Sequence, residues 1–505
     1  MTNIYSAIKN SFPQDRNRPF AIRPDGTEFS YADLDARSAA FANVLVAKGV
    51  GVGDRVAVQA DKCIDMLMLY LGCARAGAIF LPLNPAYTAH ELEYFIKDAE
   101  PALFVCATSK RAAIEQLATA AGVKNVADLS DDGTGSLSRS ADAASSEFAT
   151  IARDEDDIAA ILYTSGTTGR AKGAMLSHGN LLSNALTLKD FWRFTRDDVL
   201  LHALPIFHTH GLFVATNVTL LAGASMIFLP QFDVAQVMHL LPRATVMMGV
   251  PTFYIRMLGE AGLTEVSVEN IRLFISGSAP LSADIHREFK QRTGHAILER
   301  YGMTETNMIT SNPYEGERVA GTVGFPLPGI SVRIADTGNG DVLPQGSVGV
   351  IEVKGPNVFK GYWRMPEKTA AEFHDGYFIT GDLGFIDERG YLAIVGRAKD
   401  LIISGGYNIY PAEVEAALDE LPMVRESAVI GAPHPDMGEG VVAVIVPREP
   451  AFSDTHLIAE AMSTRLARFK QPRRIVVISE LPKNSMGKIQ KTVLRETYKD
   501  SFSAS

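Results

Sequence analysis

Short apolar runs, each followed by a stretch of helical periodicity, recur through the first 330 residues and constrain the fold more than any other feature. IAAILYT (158 to 164), VLLHALP (199 to 205), ATVMMGVP (244 to 251) and IRLFISG (271 to 277) have the length and uniform apolarity of buried parallel strands. SADIHREFKQRTG (282 to 294) is helical in period, with Ser282 as N-cap. The alternation predicts an α/β fold. At 505 residues the chain exceeds what one core can organise. From about residue 318 it turns to short strands with Gly/Pro turns, a β-rich subdomain. After GRAKD (396 to 400) comes a small α+β segment with amphipathic helices near 411 to 420 and 455 to 468. The expected organisation is a large N-terminal domain over 1–398 and a small mobile C-terminal domain over 399–505. Residues 127 to 149, small and polar, read as a surface loop.

Hydrophobic residues at 47% and charged residues at 21% are ordinary for a globular protein, and a net charge of −10 argues against a nucleic-acid partner. Three cysteines (Cys63, Cys73, Cys106), odd in number and without metal-ligand spacing, fit a reducing cytoplasm. The N-terminus lacks a basic stretch followed by an apolar run, so no signal peptide is expected. The most apolar span, 64 to 83, contains Asp65 and Arg75, which favours a buried helix and strand over a membrane span. A cytoplasmic protein without a membrane partner is the expectation.

Chemistry concentrates first in YTSGTTGRAKG (163 to 173). A strand runs into a loop where Gly166 and Gly169 let amides turn toward a phosphate, Thr164, Ser165, Thr167 and Thr168 add donors, and Lys172 adds charge. The spacing from Gly166 to Lys172, and Gly173 where a magnesium-binding hydroxyl should stand, rule against a Walker loop. A second concentration is LERYGMTET (298 to 306), where Arg300 puts a full charge at the end of an apolar strand, a usual place for a ligand.

These stretches, with TGDLG (380 to 384), GRAKDLIISGGYNIYP (396 to 411) and PKNSMGK (482 to 488), resemble the adenylate-forming superfamily in family order over nearly the whole chain. The resemblance implies two half-reactions. A carboxylate attacks the α-phosphorus of ATP to give acyl-AMP and pyrophosphate, and a thiol then displaces AMP. It implies that Thr164, Ser165, Gly166, Thr167, Thr168, Gly169 and Lys172 hold phosphates, and that Glu305, with Thr164, holds Mg²⁺. Gly277, Ser278 and Ala279 would line the adenine and acyl sites, and Tyr301, Gly302, Met303 and Thr304 the nucleotide, with Tyr301 stacked on adenine. Asp382 and Arg397 would meet the ribose, Lys488 would serve adenylation, Lys399 would be the hinge, and Gly405 and Gly406 would line the pantetheine channel of coenzyme A. By the same resemblance, a lysine acetyltransferase and deacetylase acting on Lys488 are possible partners.

The acyl pocket should be built from PIFHTHG (205 to 211), VPTFYIRM (250 to 257) and the strand ends around 276 to 300. It places His208, Thr209 and His210 on one loop, with Arg256 and Arg300 as candidate lining residues. If Thr252 caps a helix, Phe253 and Arg256 share a face. Buried arginines cost several kcal/mol, roughly, unless an anion meets them, and a dicarboxylic acid brings one: one carboxylate reacts while guanidinium clamps the other. ERYGMTET, HTHG and PTFYIRM together resemble the malonyl-CoA synthetases, which implies malonate as substrate, methylmalonate as a poorer one, and Arg256, Arg300, His208, Thr209 and Ser278 as substrate contacts. An aryl or short-chain monocarboxylate CoA ligase, or an adenylation module loading a carrier protein, remains an alternative. Oligomeric state stays open.

Overall fold

The computed structural model describes residues 3–164, 171–404, 407–466, 468–484 and 487–502. Ser165, Gly166, Thr167, Thr168, Gly169, Gly405 and Gly406 lie outside the described residues.

Two sheets carry the first half of the chain. A six-stranded sheet runs in the order Asn125–Asp128, Leu103–Cys106, Arg55–Gln59, Ile79–Pro82, Ile158–Thr164, Lys172–Ser177. Its neighbours are parallel except the last pair, an antiparallel hairpin. IAAILYT is therefore a parallel strand on one side only, because the chain turns straight back after Thr164. A nine-stranded sheet has at its centre Val199–His202, Val246–Gly249, Leu273–Ser276 and Leu298–Met303, all parallel as their apolar sequences require. Beyond Leu298–Met303 the strand Asn307–Ser311 turns back antiparallel, so the turn between them sits at a sheet end, exposed to a ligand.

The helix Ala283–Thr293 starts where its sequence says it should: Ser282 accepts from the Ile285 amide at 3.2 Å, and Gly294 ends it with a left-handed backbone, φ 75°. The apolar span 64 to 83 is a buried helix, Ile64–Ala76, and a strand, Ile79–Pro82. Its two charges are paired, Asp65 with Arg37 at 2.8 Å and Arg75 with Asp35 at 2.9 Å. No helix among the described residues is long and apolar enough to cross a membrane.

One expectation is corrected. Residues 127 to 149 are not simply a surface loop, since Ser136–Asp142 is a helix that buries Leu137, Ser138 and Ala141. Ser and Ala carry too little apolar contrast for periodicity to show it. The turn into it requires Gly135, φ 132°, because a Cβ there would lie 2.3 Å from the Asp128 carbonyl oxygen.

A five-stranded antiparallel sheet, Ser331–Ala335, Gly349–Lys354, Phe373–His374, Tyr377–Ile386 and Leu392–Arg397, forms the β-rich part. It ends at Arg397, and the next strand, Ile402–Ser404, belongs to the last sheet with Tyr407–Ile409, Val424–His434, Gly438–Pro447 and Arg474–Val477. That sheet is covered by the helices Pro411–Asp419 and Thr455–Ser463 on one core, and by Lys491–Thr497 on another.

Candidate active site

The site forms where the ends of these sheets meet. Thr164 and Lys172 face each other across the hairpin of the six-stranded sheet. Glu305 follows the strand Leu298–Met303 and is 5% exposed. Its Oε1 accepts from the Tyr362 hydroxyl at 3.0 Å and from Thr164 Oγ1 at 3.4 Å, so the two residues expected at the metal lie together. Burial raises the Glu305 carboxyl above its usual range, and among the described residues no ion pair compensates it. A buried carboxylate beside the Thr164 and Tyr362 hydroxyls suits a magnesium ion that takes its remaining ligands from phosphates and water. No cluster of three or more protein ligands that could hold a metal occurs among the described residues.

The nucleoside side is built on cross-strand pairing. Asp382 on Tyr377–Ile386 and Arg397 at the end of Leu392–Arg397 are register partners, which brings Arg397 Nε to 3.0 Å from Asp382 Oδ1. Tyr301 donates its hydroxyl to the other oxygen at 2.6 Å. Gly302 carries the bulge after Tyr301; a Cβ there would meet the Asn307 carbonyl oxygen at 2.0 Å. Met303 bonds the turn through its amide to Thr306 Oγ1, and Thr304 is half-buried in the same turn.

Lys488 reaches this group from the C-terminal segment. Its amide donates to Asn484 Oδ1 at 2.9 Å, and a Cβ on the preceding Gly487 would sit 3.3 Å from Thr252, so the loop lies against the helix Pro251–Leu258. That helix starts with Pro251 at N1 and is capped by Val250, which carries no side-chain cap bond; Thr252 is inside it. The Lys488 side chain is open to the cleft, yet the protein packed around it pushes its ammonium down to about 8, with Arg397 adding to the shift and Asp382 opposing it. Lys399 is exposed in the turn Ala398–Asp400, and Asp400 beside it pairs with Arg495 at 2.5 Å.

The acyl side centres on Arg300, 2% exposed. No carboxylate lies within 4.0 Å of it among the described residues, and its Nε and Nη2 have no hydrogen-bond partner. Neither Glu299 nor Glu305 pairs with it. Glu299, next in the chain but pointing the other way as strand alternation requires, is pushed up to about 8 by burial and stays protonated near neutrality. Burial lowers Arg300 to about 9. Gly277 makes room for it, since a Cβ there would lie 2.4 Å from the Arg300 Cζ. Ser278 holds a left-handed backbone, φ 72°, and its hydroxyl meets His210 Nδ1 at 3.2 Å; Ala279 follows half-buried. Burial first, then the Arg300 charge, lowers His208 to about 4 and takes His210 well below its usual value. Both histidines are neutral at pH 7, which leaves Arg300 as the charge of this group. The Thr209 hydroxyl, His210 Nε2, Ser276 hydroxyl and Glu299 Oε2 are also buried without partners.

Arg256 stands elsewhere. It is exposed, over the Phe232 ring at 6.0 Å, on the wall of a cleft of about 900 Å³ shared with Phe253, Phe232 and Lys62. Exposure removes the desolvation argument made for it from the sequence, which leaves that argument to Arg300 alone. Sequence reasoning passed over Tyr362 and Glu372. Tyr362 and Glu372 carry no local signal, since each reaches the site across the fold.

Comparison with known proteins agrees with this geometry. The AMP-binding enzyme family matches residues 9–363, and the AMP-binding enzyme C-terminal domain matches 413–488. The ATP-bound crystal structure of MatB from Rhodopseudomonas palustris is 58% identical over 99% of both chains, with a TM-score of 0.97; its apo form gives 0.86. A long-chain-fatty-acid–CoA ligase of Bacillus subtilis is 34% identical, covering 94% of this chain and 91% of its own. A malonate–CoA ligase of Arabidopsis thaliana is 32% identical, covering 98% and 89%. Identities of 34% and 32% to ligases of different acids do not by themselves choose the acid. The chain belongs to the AMP-binding enzyme family and is an AMP-forming acid–CoA ligase.

Proposed function

We propose that the protein joins malonate to coenzyme A through a malonyl-AMP intermediate, giving malonyl-CoA, AMP and pyrophosphate. The observation that carries the acid is Arg300, a buried guanidinium with two unpartnered nitrogens and a neutral carboxyl as its nearest acidic neighbour. A second carboxylate on the substrate supplies the missing counter-charge, and the planar fork matches it. A monocarboxylate leaves that charge buried and unmet, at a cost of several kcal/mol, roughly.

The remaining roles follow from position. Lys488 brings its ammonium to the attacking carboxylate and the α-phosphate, whose negative charges otherwise repel. Tyr301 packs against adenine, and Asp382 and Arg397 meet the ribose. Thr164 and Lys172 face the phosphates, joined by the hydroxyls and amides of 165 to 169. Magnesium, held by Glu305 with Thr164, would offset charge on the phosphate oxygens. His208, kept neutral by burial and by the charges of Arg300 and Lys488, would be a hydrogen-bonding wall of the acyl site. The small domain would rotate about Lys399 to bring Gly405 and Gly406 to the thiol for the second step. Acetylation of Lys488 would remove its charge and stop the first step.

Pyrophosphate release across malonate, methylmalonate, acetate, butyrate and coumarate tests the acid. Malonate should lead by at least about a hundredfold in kcat/KM, the effect of leaving a buried charge unpaired; monocarboxylates equal to malonate would remove the reading. Product formation with coenzyme A against a carrier protein separates a CoA ligase from a loading module.

A further inference from the structure

Lys172 is 8% exposed, and in this structure its ammonium is held by a residue that no motif names. Glu372 Oε1 lies 3.0 Å from Lys172 Nζ, from a position 200 residues away in sequence. The same oxygen receives Lys368 at 2.8 Å. The other, Oε2, accepts from the Tyr362 hydroxyl at 3.2 Å, and Lys172 rests over the Tyr362 ring at 4.0 Å. Tyr362 has one proton and faces two carboxylates, Glu305 at 3.0 Å and Glu372 at 3.2 Å. Burial would raise Glu372, but the hydrogen bonds from Lys368 and Lys172 outweigh it, so the carboxylate stays charged. Glu372 therefore offers Lys172 a charged oxygen, Oε1, as a phosphate would.

We propose that Glu372 is a positioning residue that acts as a built-in competitor of pyrophosphate: it holds Lys172 between turnovers and takes it back as pyrophosphate leaves. The inference rests on the reading of Lys172 as a phosphate contact. Its physical basis is that one ammonium serves either anion. Every polyphosphate that binds must draw Lys172 away from Glu372, at a loss of affinity. The loss falls on ATP as well, but ATP retains its base and ribose contacts whereas pyrophosphate has none. The same factor therefore leaves ATP bound while pyrophosphate, held by its phosphate contacts alone, departs, and product release limits turnover in many enzymes.

The sign of the predicted effect separates this role from a structural one. Calorimetric titration of inorganic pyrophosphate at saturating magnesium into Glu372→Gln should give tighter binding than wild type, on the order of tenfold, equal to about 1.4 kcal/mol of lost competition. Glu372→Asp, which keeps the charge, should stay near wild type. In a Lys172→Met background the gain from Glu372→Gln should vanish, because the two act through one contact. Unchanged or weaker pyrophosphate binding by Glu372→Gln, with an unchanged melting temperature, overturns the proposal; so does a gain that persists without Lys172. Pyrophosphate affinity unaffected by Lys172→Met alone would instead remove the phosphate reading of Lys172. A crystal structure of the wild-type protein with pyrophosphate checks the idea independently of any variant: Lys172 should leave Glu372, and a retained 3.0 Å pair would sink it.

Discussion

Two arginines are buried equally in this molecule, Arg75 and Arg300, each 2% exposed. Arg75 crosses the helix pair near the N-terminus, and its Nη1 meets Asp35 at 2.9 Å, the Tyr5 hydroxyl at 2.7 Å and the Ser38 hydroxyl at 3.0 Å. Its Nη2 donates to the Phe148 carbonyl at 2.9 Å, and its Nε alone lacks a partner. Arg300 has no ion pair and two unpartnered nitrogens. Burial costs both the same desolvation; only one recovers it inside the protein. A satisfied buried cation is architecture. An unsatisfied one, kept at the end of a parallel strand beside partnerless hydroxyl and imidazole groups, is a site awaiting an anion.

Removing the two charges should break the molecule in different ways. The largest expected effect is Arg300→Met, which should lower kcat/KM for malonate by roughly 10²–10³-fold while leaving ATP affinity and melting temperature near wild type. A fall in stability comparable to the loss of activity would mean that Arg300 is structural after all. Next is Lys488→Ala, with adenylation expected to drop by about 10²–10³-fold and thioester formation from supplied malonyl-AMP largely kept. Equal loss of both steps would contradict a domain rotation. The same residue sets a pH limb. Its ammonium is needed charged, and its value in the free protein is about 8, so kcat/KM for adenylation should fall as pH rises through about 8. The thioester step measured alone should lack that limb.

On the other side of the comparison, Asp35→Ala leaves Arg75 with no carboxylate. Because Asp35 is itself 30% exposed, the loss should be about 2–3 kcal/mol, below the cost for a fully buried pair. Urea denaturation reads it, and kcat at low temperature should be unchanged. The smallest expected effect is Gly277→Ala. Its Cβ collides with the Arg300 guanidinium, so KM for malonate should rise about tenfold with little change in KM for ATP; an equal rise in both would mean that the glycine serves the nucleotide instead.

Much of this site could be read along the chain. The hairpin loop, Glu305, Asp382, Arg397 and Lys488 stand in segments whose residue types state their chemistry locally, and the strands beneath them are apolar enough to be recognised. The charge of Arg300 at a strand end was legible too, because period-2 alternation puts the side chain of one residue inside and the next on the opposite face. What misled was any inference that needed a second segment. Phe253 and Arg256 share a helix with the proper spacing, yet whether Arg256 is buried depends on what covers that face of the helix, and Arg256 is exposed. Tyr362 and Glu372 stand in none of the motifs read from the sequence. Only folding brings them to Glu305 and Lys172, from 57 and 200 positions away in the chain.

The sequence by itself determined the α/β alternation, the functional groups carried by the hairpin and by Glu305, Asp382 and Arg397, and that a positive charge would stand at the end of an apolar strand. Local residue type and periodicity are sufficient for that, because they fix backbone state and the functional group each side chain carries. Only the tertiary structure decided which charges are neutralised. Counter-ions are a property of space: Arg75 finds Asp35 and Lys172 finds Glu372 across the fold, whereas Arg300 has no ion pair among the described residues, and its sequence neighbour Glu299 is buried deeply enough to keep its proton.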